Sequence, residues 1–249
     1  MTNEFDGMHV IVTGGGSGIG WAIAKAFVAA GATVGVLDKD PHGAPTGTTA
    51  LAVDVTDDDD VESAVNQLSP GGRLDVLINN AGISYPATVE EGSISDWAHV
   101  YDVNVLGMIR TARAALPLLR KSSAASILNM SSCTATTGLR NRVLYAGTKG
   151  AIEAMSRAMA ADLVAEGIRV NCLAPGTVDT PLIDRLIDRA PDPAAQRAVY
   201  DHRQPTGAMV GANEVADAAL FISRPSARSI VGTVLAVDGG LTTIKVFAS

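Results

Sequence analysis

Only two cysteines, Cys133 and Cys172, occur in 249 residues. Both stand in apolar or motif-rich stretches, which excludes a disulfide framework, predicts free buried thiols and points to the cytoplasm. No apolar run reaches the ~18 residues that a membrane-spanning helix needs. The opening residues, Met1-Thr2-Asn3-Glu4-Phe5-Asp6, are acidic and lack the apolar stretch of a signal peptide. Positive charge is scarce. Against 26 Asp and Glu there are 19 Lys and Arg, giving a net charge of −7 and a pI near 5.0, which argues against nucleic acid or an anionic membrane as partner. There is no internal repeat and no low-complexity tract, and Pro191-Asp192-Pro193 breaks a local helix without linking two domains. What is abundant is apolar surface: 47% hydrophobic against 18% charged residues, with 25 glycines. That balance suits one α/β domain with a large core, spanning residues 1–249.

Read in order, strand and helix alternate. His9–Val12 is a short apolar strand, and a helical pattern runs from Trp21 to Ala30, where Gly31 stops it. Thr33–Leu37 forms a second strand ending at Asp38. Residues 39–49 are rich in Pro, Gly and Thr and read as loop. Strands at Ala50–Val53 and Leu74–Ile78 flank a helix near Asp58–Leu68. Long helices follow at about Ile94–Leu119 and Tyr145–Glu166, with strands at Ala125–Met130, Ile168–Leu173 and Val234–Val237. This alternation implies right-handed crossovers and a doubly wound parallel sheet covered by helices on both faces.

Between the first strand and its helix lies Thr13-Gly14-Gly15-Gly16-Ser17-Gly18-Ile19-Gly20. The spacing is Gly14-x-x-x-Gly18-x-Gly20, in the position where glycines let backbone approach a pyrophosphate and a helix N-terminus offers free N–H groups. Asp38 ends the second strand 18 residues after Gly20, about the ~20-residue interval at which an acidic residue meets the ribose hydroxyls. A carboxylate there repels a 2′-phosphate, and Ser17 is neutral, so NAD is preferred to NADP. Lys39 is the one contrary hint, explained more simply as solvent-facing.

Ser131-Ser132-Cys133 closes a buried strand, and Tyr145-Ala146-Gly147-Thr148-Lys149 opens a helix. Four residues apart, Tyr145 and Lys149 share one helix face. A free tyrosine titrates near ~10, too high for acid–base work at neutral pH. A lysine ammonium about 4 Å away favours the tyrosinate by ~4 kcal/mol at an effective dielectric of about 20.

In combination these motifs resemble the short-chain dehydrogenase/reductase family, of the single-domain Rossmann-like type. Carrying the likeness, in the family's order, are the glycine stretch, Asn79-Asn80-Ala81-Gly82, Asn104, Ser132, Tyr145-x-x-x-Lys149 and Pro175-Gly176. The resemblance implies that Tyr145 is the acid/base, that Ser132 bonds the same substrate oxygen while Ser131 points away, and that Lys149 lowers the tyrosine pKa and holds the nicotinamide ribose. It makes Asn104 the anchor of a proton-relay water. Gly14, Ser17, Gly18, Ile19, Gly20 and Asp38 are implied to hold the dinucleotide, with Asn80 and Ala81 along the adenosine ribose. Asp54 and Val55 would bracket the adenine, and Pro175, Gly176, Val178 and Thr180 would place the nicotinamide. No metal is implied. The short loop after Asp38 departs from the helix that relatives place there, and Thr148 stands where serine or alanine is common.

Residues 177–211 are the expected substrate lid. There Leu182, Ile183, Leu186 and Ile187 alternate with Asp184, Arg185, Asp188 and Arg189 in an amphipathic helix. Leu182, Leu139, Cys133 and Tyr85 are expected near a mostly apolar pocket, suited to an alicyclic or aromatic secondary alcohol or its ketone rather than a phosphorylated sugar. Arg140 and Arg142 are read as solvated. The expected activity is an NAD-dependent alcohol dehydrogenase or ketone reductase. Two alternatives stand beside it: a 3-oxoacyl-carrier reductase and a non-catalytic dinucleotide sensor. The helix from Tyr145, rich in alanine and methionine, and the stretch Val103, Val105, Leu106, Met108, Ile109 predict a homotetramer in which these helices pair between subunits.

Overall fold

The computed structural model describes residues 4–245; Met1–Asn3 of the acidic start lie outside them. The strands are β1 (His9–Thr13), β2 (Thr33–Asp38), β3 (Thr48–Ala52), β4 (Val76–Asn79), β5 (Ser126–Met130), β6 (Arg169–Pro175), β7 (Val178–Asp179), β8 (Val210–Gly211) and β9 (Val234–Val237). The helices are α1 (Gly18–Ala29), α2 (Asp58–Gln67), α3 (Ile94–Tyr101), α4 (Gly107–Leu119), α5 (Val143–Leu163), α6 (Pro181–Asp188), α7 (Pro193–Asp201) and α8 (Ala212–Ser223). Seven strands form one parallel sheet in the order β3-β2-β1-β4-β5-β6-β9, and β7 pairs with β8 apart from it.

Alternation along β1 shows how the two faces are covered. Val10 and Val12 point into a cluster with Ile23 and Phe27 of α1 and Val215 and Ala219 of α8. Ile11 points the other way, among Val61 and Val65 of α2 and Ala112 and Ala115 of α4. Every residue of β4, β5 and β6 is buried, as expected of central parallel strands with both faces covered.

Strand order reverses at β1, which pairs with β2 on one side and β4 on the other. Connections therefore leave in opposite directions and a crevice opens beyond the carboxyl ends of these strands. A buried polar chain fixes that rim. Thr111 Oγ1 donates to Asn79 Oδ1 at 2.6 Å, Asn79 Nδ2 to Asn129 Oδ1 at 2.9 Å, and Asn129 Nδ2 to Ser156 Oγ at 2.8 Å. It ties β4 and β5 to α4 and α5.

Three expectations are corrected. Ile94–Leu119 is not one regular helix: a π-helical turn at Asp102–Leu106 separates α3 from α4. One extra residue in that turn rotates the helix, so Val103, Val105 and Met108 are buried within the chain and Leu106 stays exposed. The stretch read as an intersubunit face thus mostly serves the core. The loop after Asp38 includes a short 3₁₀ turn, Pro41–Gly43, started by Asp40, whose side chain accepts from His42 N. The third strand begins at Thr48, two residues earlier than its hydropathy suggested.

Candidate active site

A cleft of about 420 Å³ runs along the carboxyl ends of the sheet, from Asp38, Lys39 and Val53 at one end to Ser132, Tyr145 and Leu182 at the other. At the first end the backbone makes the site. Gly14 sits at φ 66° and packs against Ala81. A Cβ at Gly20 would collide with the Gly14 carbonyl oxygen and the Asn80 side chain. Thr13 Oγ1 accepts from both Asn80 N and Ala81 N at 3.0 Å, and Asn80 Nδ2 donates to the carbonyls of Thr13 and Gly14 at 3.1 Å. Asp38 Oδ2 accepts from Gly16 N at 2.8 Å and Oδ1 from Asp40 N at 3.0 Å. These groups fit a dinucleotide: a glycine cradle with no room for side chains at Gly14 and Gly20, the open N-terminus of α1 and a carboxylate fixed at the ribose end.

At the other end β5 delivers Ser132, whose Oγ accepts from Thr134 N at 3.2 Å and opens a 3₁₀ turn, Cys133–Ala135. Tyr145 and Lys149 project from the first turns of α5. Burial pushes the Tyr145 phenol up to about 12; Cys133 adds to the rise, while the Ser132 hydroxyl and the Arg142 guanidinium oppose it. Burial pulls Lys149 down to about 8. Its Nζ donates to Met130 O at 2.8 Å and lies 5.5 Å from the Tyr145 ring centroid. The ammonium is thus turned to the end of β5 and is not among the groups that lower the phenol.

Gly14, Ser17, Gly18, Ile19, Asp38, Val55, Asn80, Ala81, Ser132, Tyr145, Lys149, Pro175, Gly176 and Thr180 all line this one cleft. Gly20 lies buried behind it, and Val178 packs into the core beside α8. Asn104 is buried with its amide committed: Oδ1 accepts from Ile83 N at 2.7 Å, and Nδ2 donates to Ile83 O at 3.0 Å and Thr148 Oγ1 at 3.1 Å. Asp54 Oδ2 pairs with Lys39 Nζ at 2.7 Å and does not line the cleft. Of the expected pocket residues, Leu182 lines the cleft and Cys133 is buried beside Ser132, whereas Tyr85 is bonded to Asp96 at 3.3 Å; neither Tyr85 nor Leu139 lines it.

Sequence reasoning passed over Glu153, which is only 6% exposed and whose Oε1 accepts from Ser131 Oγ at 2.9 Å. That bond turns Ser131 toward α5. Glu153 stands four residues after Lys149, on the same helix face, and that spacing was the available signal. Arg185 was read only as part of the polar face of its helix. It follows Leu182 by one turn of α6 and lines the cleft with it.

Residues 14–242 match the family model described as enoyl-(acyl carrier protein) reductase. The chain belongs to the short-chain dehydrogenase/reductase family. It is 40% identical over 248 residues to the L-fucose dehydrogenase of Bos taurus, covering 96% of this chain and 91% of that one. It is 35% identical over 256 residues to the cis-4-hydroxycyclohexanecarboxylate dehydrogenase of Sinomonas cyclohexanicum, covering 98% and 100%. Among solved structures, ligand-free aldohexose dehydrogenase of Thermoplasma acidophilum superposes with a TM-score of 0.93 at 31% identity, covering 100% of this chain and 98% of that one. Dehydrogenases of this family generally use a nicotinamide cofactor, and the glycine cradle is where such a dinucleotide fits. Among the described residues no helix is long and apolar enough to cross a membrane, and no cluster of His, Cys, Asp and Glu is arranged to hold a metal.

Proposed function

We propose that this chain is a cytoplasmic NAD(H)-dependent dehydrogenase that interconverts a ring-borne secondary alcohol and its ketone. One observation carries the reading: the dinucleotide cradle and the Ser132–Tyr145–Lys149 group line a single continuous cleft. Asp38 at the ribose end and neutral Ser17 favour NAD over NADP. The substrate class rests on the apolar Leu182 at the rim and on relatives named for a hydroxycyclohexanecarboxylate, L-fucose and aldohexoses.

When bound, the nicotinamide supplies or takes up the hydride. The chain's own residues manage the oxygen and its proton. In reduction, Tyr145 Oη gives its proton to the carbonyl oxygen as the carbon gains the hydride, and the Ser132 hydroxyl donates a hydrogen bond to the developing oxyanion. With its pKa near 12, Tyr145 is already a phenol at neutral pH and reduction needs no prior ionisation. In oxidation the phenolate must form first, and Ser132 and Arg142 favour it. Lys149 holds the nicotinamide ribose and adds positive charge beside the ring. Both amide hydrogens of Asn104 are committed, so a water linking Lys149 to solvent would have to donate to an acceptor there, the Asn104 Oδ1 or a main-chain carbonyl.

The working assembly is a homotetramer, for which the support is the small, exposed alanine face of α5 (Ala154, Ala158, Ala161) beside exposed Leu106 and Val143. The carrier-bound 3-oxoacyl reductase is the second reading; the description of the matching family model supports its carrier-bound substrate but names an enoyl group, not a 3-oxoacyl one. A panel of cyclic alcohols, free aldoses, ketones and a carrier-linked 3-oxoacyl thioester, assayed with NAD(H) and NADP(H), separates the two. Turnover confined to the thioester with NADPH would overturn the first reading.

A further inference from the structure

Lys39 directly follows Asp38, and both line the ribose end of the cleft. A cation near the end of the second strand is the usual way a binding site of this type accommodates an adenosine 2′-phosphate. Here the cation is engaged elsewhere, since Lys39 Nζ lies 2.7 Å from Asp54 Oδ2. The two partners differ in freedom. The lysine side chain is 69% exposed and the carboxylate 36%. The carboxylate is also fixed: Asp54 Oδ1 accepts from Thr56 N at 3.0 Å and Thr56 Oγ1 at 2.8 Å, and Asp54 N donates to Asp60 Oδ2 at 2.8 Å. These bonds and the lysine hold the Asp54 carboxyl at about 2, the bond to Lys39 contributing most, so it stays charged throughout the working range. A fixed anion therefore holds a solvent-exposed cation at the end of the cleft lined by Val53 and Val55.

We propose that Asp54 determines cofactor choice by keeping Lys39 from the adenosine 2′ position, masking a phosphate subsite with an ion pair. The inference rests on the NAD reading above and deepens it. Discrimination against the 2′-phosphate then has two layers: Asp38 repels the phosphate, and Asp54 removes the cation that would compensate. Asp54 acts here through Lys39, as a specificity-determining residue, in addition to any contact with the adenine. The phosphate can come from an intact NADP(H) or from a free 2′-phosphorylated adenosine, and the two probes separate adenosine recognition from recognition of the whole dinucleotide.

The test uses the full-length protein, titrated with NADH and NADPH by nicotinamide fluorescence and with 2′,5′-ADP and ADP as competitors, at low and high salt. Asp54→Asn keeps the size and the Thr56 contact while removing the charge. An exposed pair is weak, so the NADPH:NADH affinity ratio should rise about fivefold, and the 2′,5′-ADP:ADP ratio with it. The gain should shrink at high salt, since the freed lysine is solvent-exposed, and vanish in Lys39→Gln/Asp54→Asn. An unchanged ratio in Asp54→Asn, or a gain that survives without Lys39, overturns the proposal. Lys39→Gln alone is an independent check should Asp54→Asn fold poorly. With the lysine already withheld, the ratio should fall by less than about twofold, and a much larger fall overturns the masking. Wild-type protein that binds NADPH at least as tightly as NADH defeats the NAD reading itself, an outcome separate from the behaviour of the variants.

Discussion

The two ends of the cleft are built in different ways. At the glycine end, main-chain atoms of the loop after β1 meet those after β4, stapled by Thr13 and Asn80, and there is no space for a Cβ at Gly20. At the other end, residues 177–211 form the two-residue strands β7 and β8 and the short helices α6 and α7, with Leu182 and Leu186 exposed. Arg197 of α7 pairs with Asp179 of β7 at 2.9 Å and Asp184 of α6 at 3.5 Å. Where the backbone does the recognising, only glycine is tolerated and the ligand class can be read from the chain. Where side chains on exposed helices do it, many sequences serve equally well and the substrate leaves little trace.

The largest effect is expected at the Ser132–Tyr145 pair. Tyr145→Phe should lower kcat by on the order of 10³-fold, the loss of a positioned proton donor, while NADH titrates as in wild type, because only a hydroxyl is removed. Ser132→Ala should cost on the order of 10²-fold in kcat. A Tyr145→Phe protein keeping more than a few per cent of the rate would break the assignment. At the glycine end, Gly20→Ala should weaken NADH binding by on the order of 10²-fold and lower the melting temperature, since overpacking typically costs about 1–3 kcal/mol. Calorimetric titration and a melting curve check both. In residues 177–211, Arg197→Ala should raise the substrate KM a few-fold and leave the melting temperature nearly unchanged, as expected for exposed pairs worth about 0–1 kcal/mol. Equal sensitivity of the two ends would erase the contrast drawn above.

A separate effect concerns pH. Lys149 is held near 8 in the folded chain against 10.5 for an ordinary lysine. Between those values the unfolded chain binds the extra proton, so this residue's contribution to stability rises with pH across that window. Below pH 8 both states are charged and the burial cost is fully felt. The melting temperature of wild type relative to Lys149→Met should therefore climb by several degrees from pH 8 upward, the full shift amounting to a ceiling on the order of 3 kcal/mol. Cys172, pushed up to about 11 by burial, is lowered by the Lys149 charge, so the same comparison on a Cys172→Ala background removes its share. A flat difference would contradict the buried, charged Lys149.

Much of the site was legible from residue type and spacing. Gly14, Gly18, Gly20 and Asp38 are constrained by backbone geometry, and Tyr145 and Lys149 by one helical turn, so their places in the cleft follow from the chain. The π-helical turn was not legible, because hydrophobic periodicity is nearly blind to one inserted residue, and the inward facing of Val103, Val105 and Met108 depends on it. Nor did spacing reveal that the Lys149 ammonium turns to the Met130 carbonyl, or that Lys39 is held by Asp54. Both depend on where separate strands end in space. The pairing of Glu153 with Ser131 was within reach of helical spacing, but a glutamate in a helix ordinarily faces solvent.

The most direct measurement is the transfer of label. The protein, incubated with NADH carrying deuterium at the transferable C4 position and a panel of cyclic ketones, should deliver deuterium to the carbinol carbon of an alcohol product, read by mass spectrometry. The Tyr145→Phe variant should bind the same NADH and deliver almost none. Tight NADH binding by the wild-type protein without label in any product from ketones or a carrier-linked 3-oxoacyl thioester would contradict the enzyme reading and leave a dinucleotide-binding protein in its place.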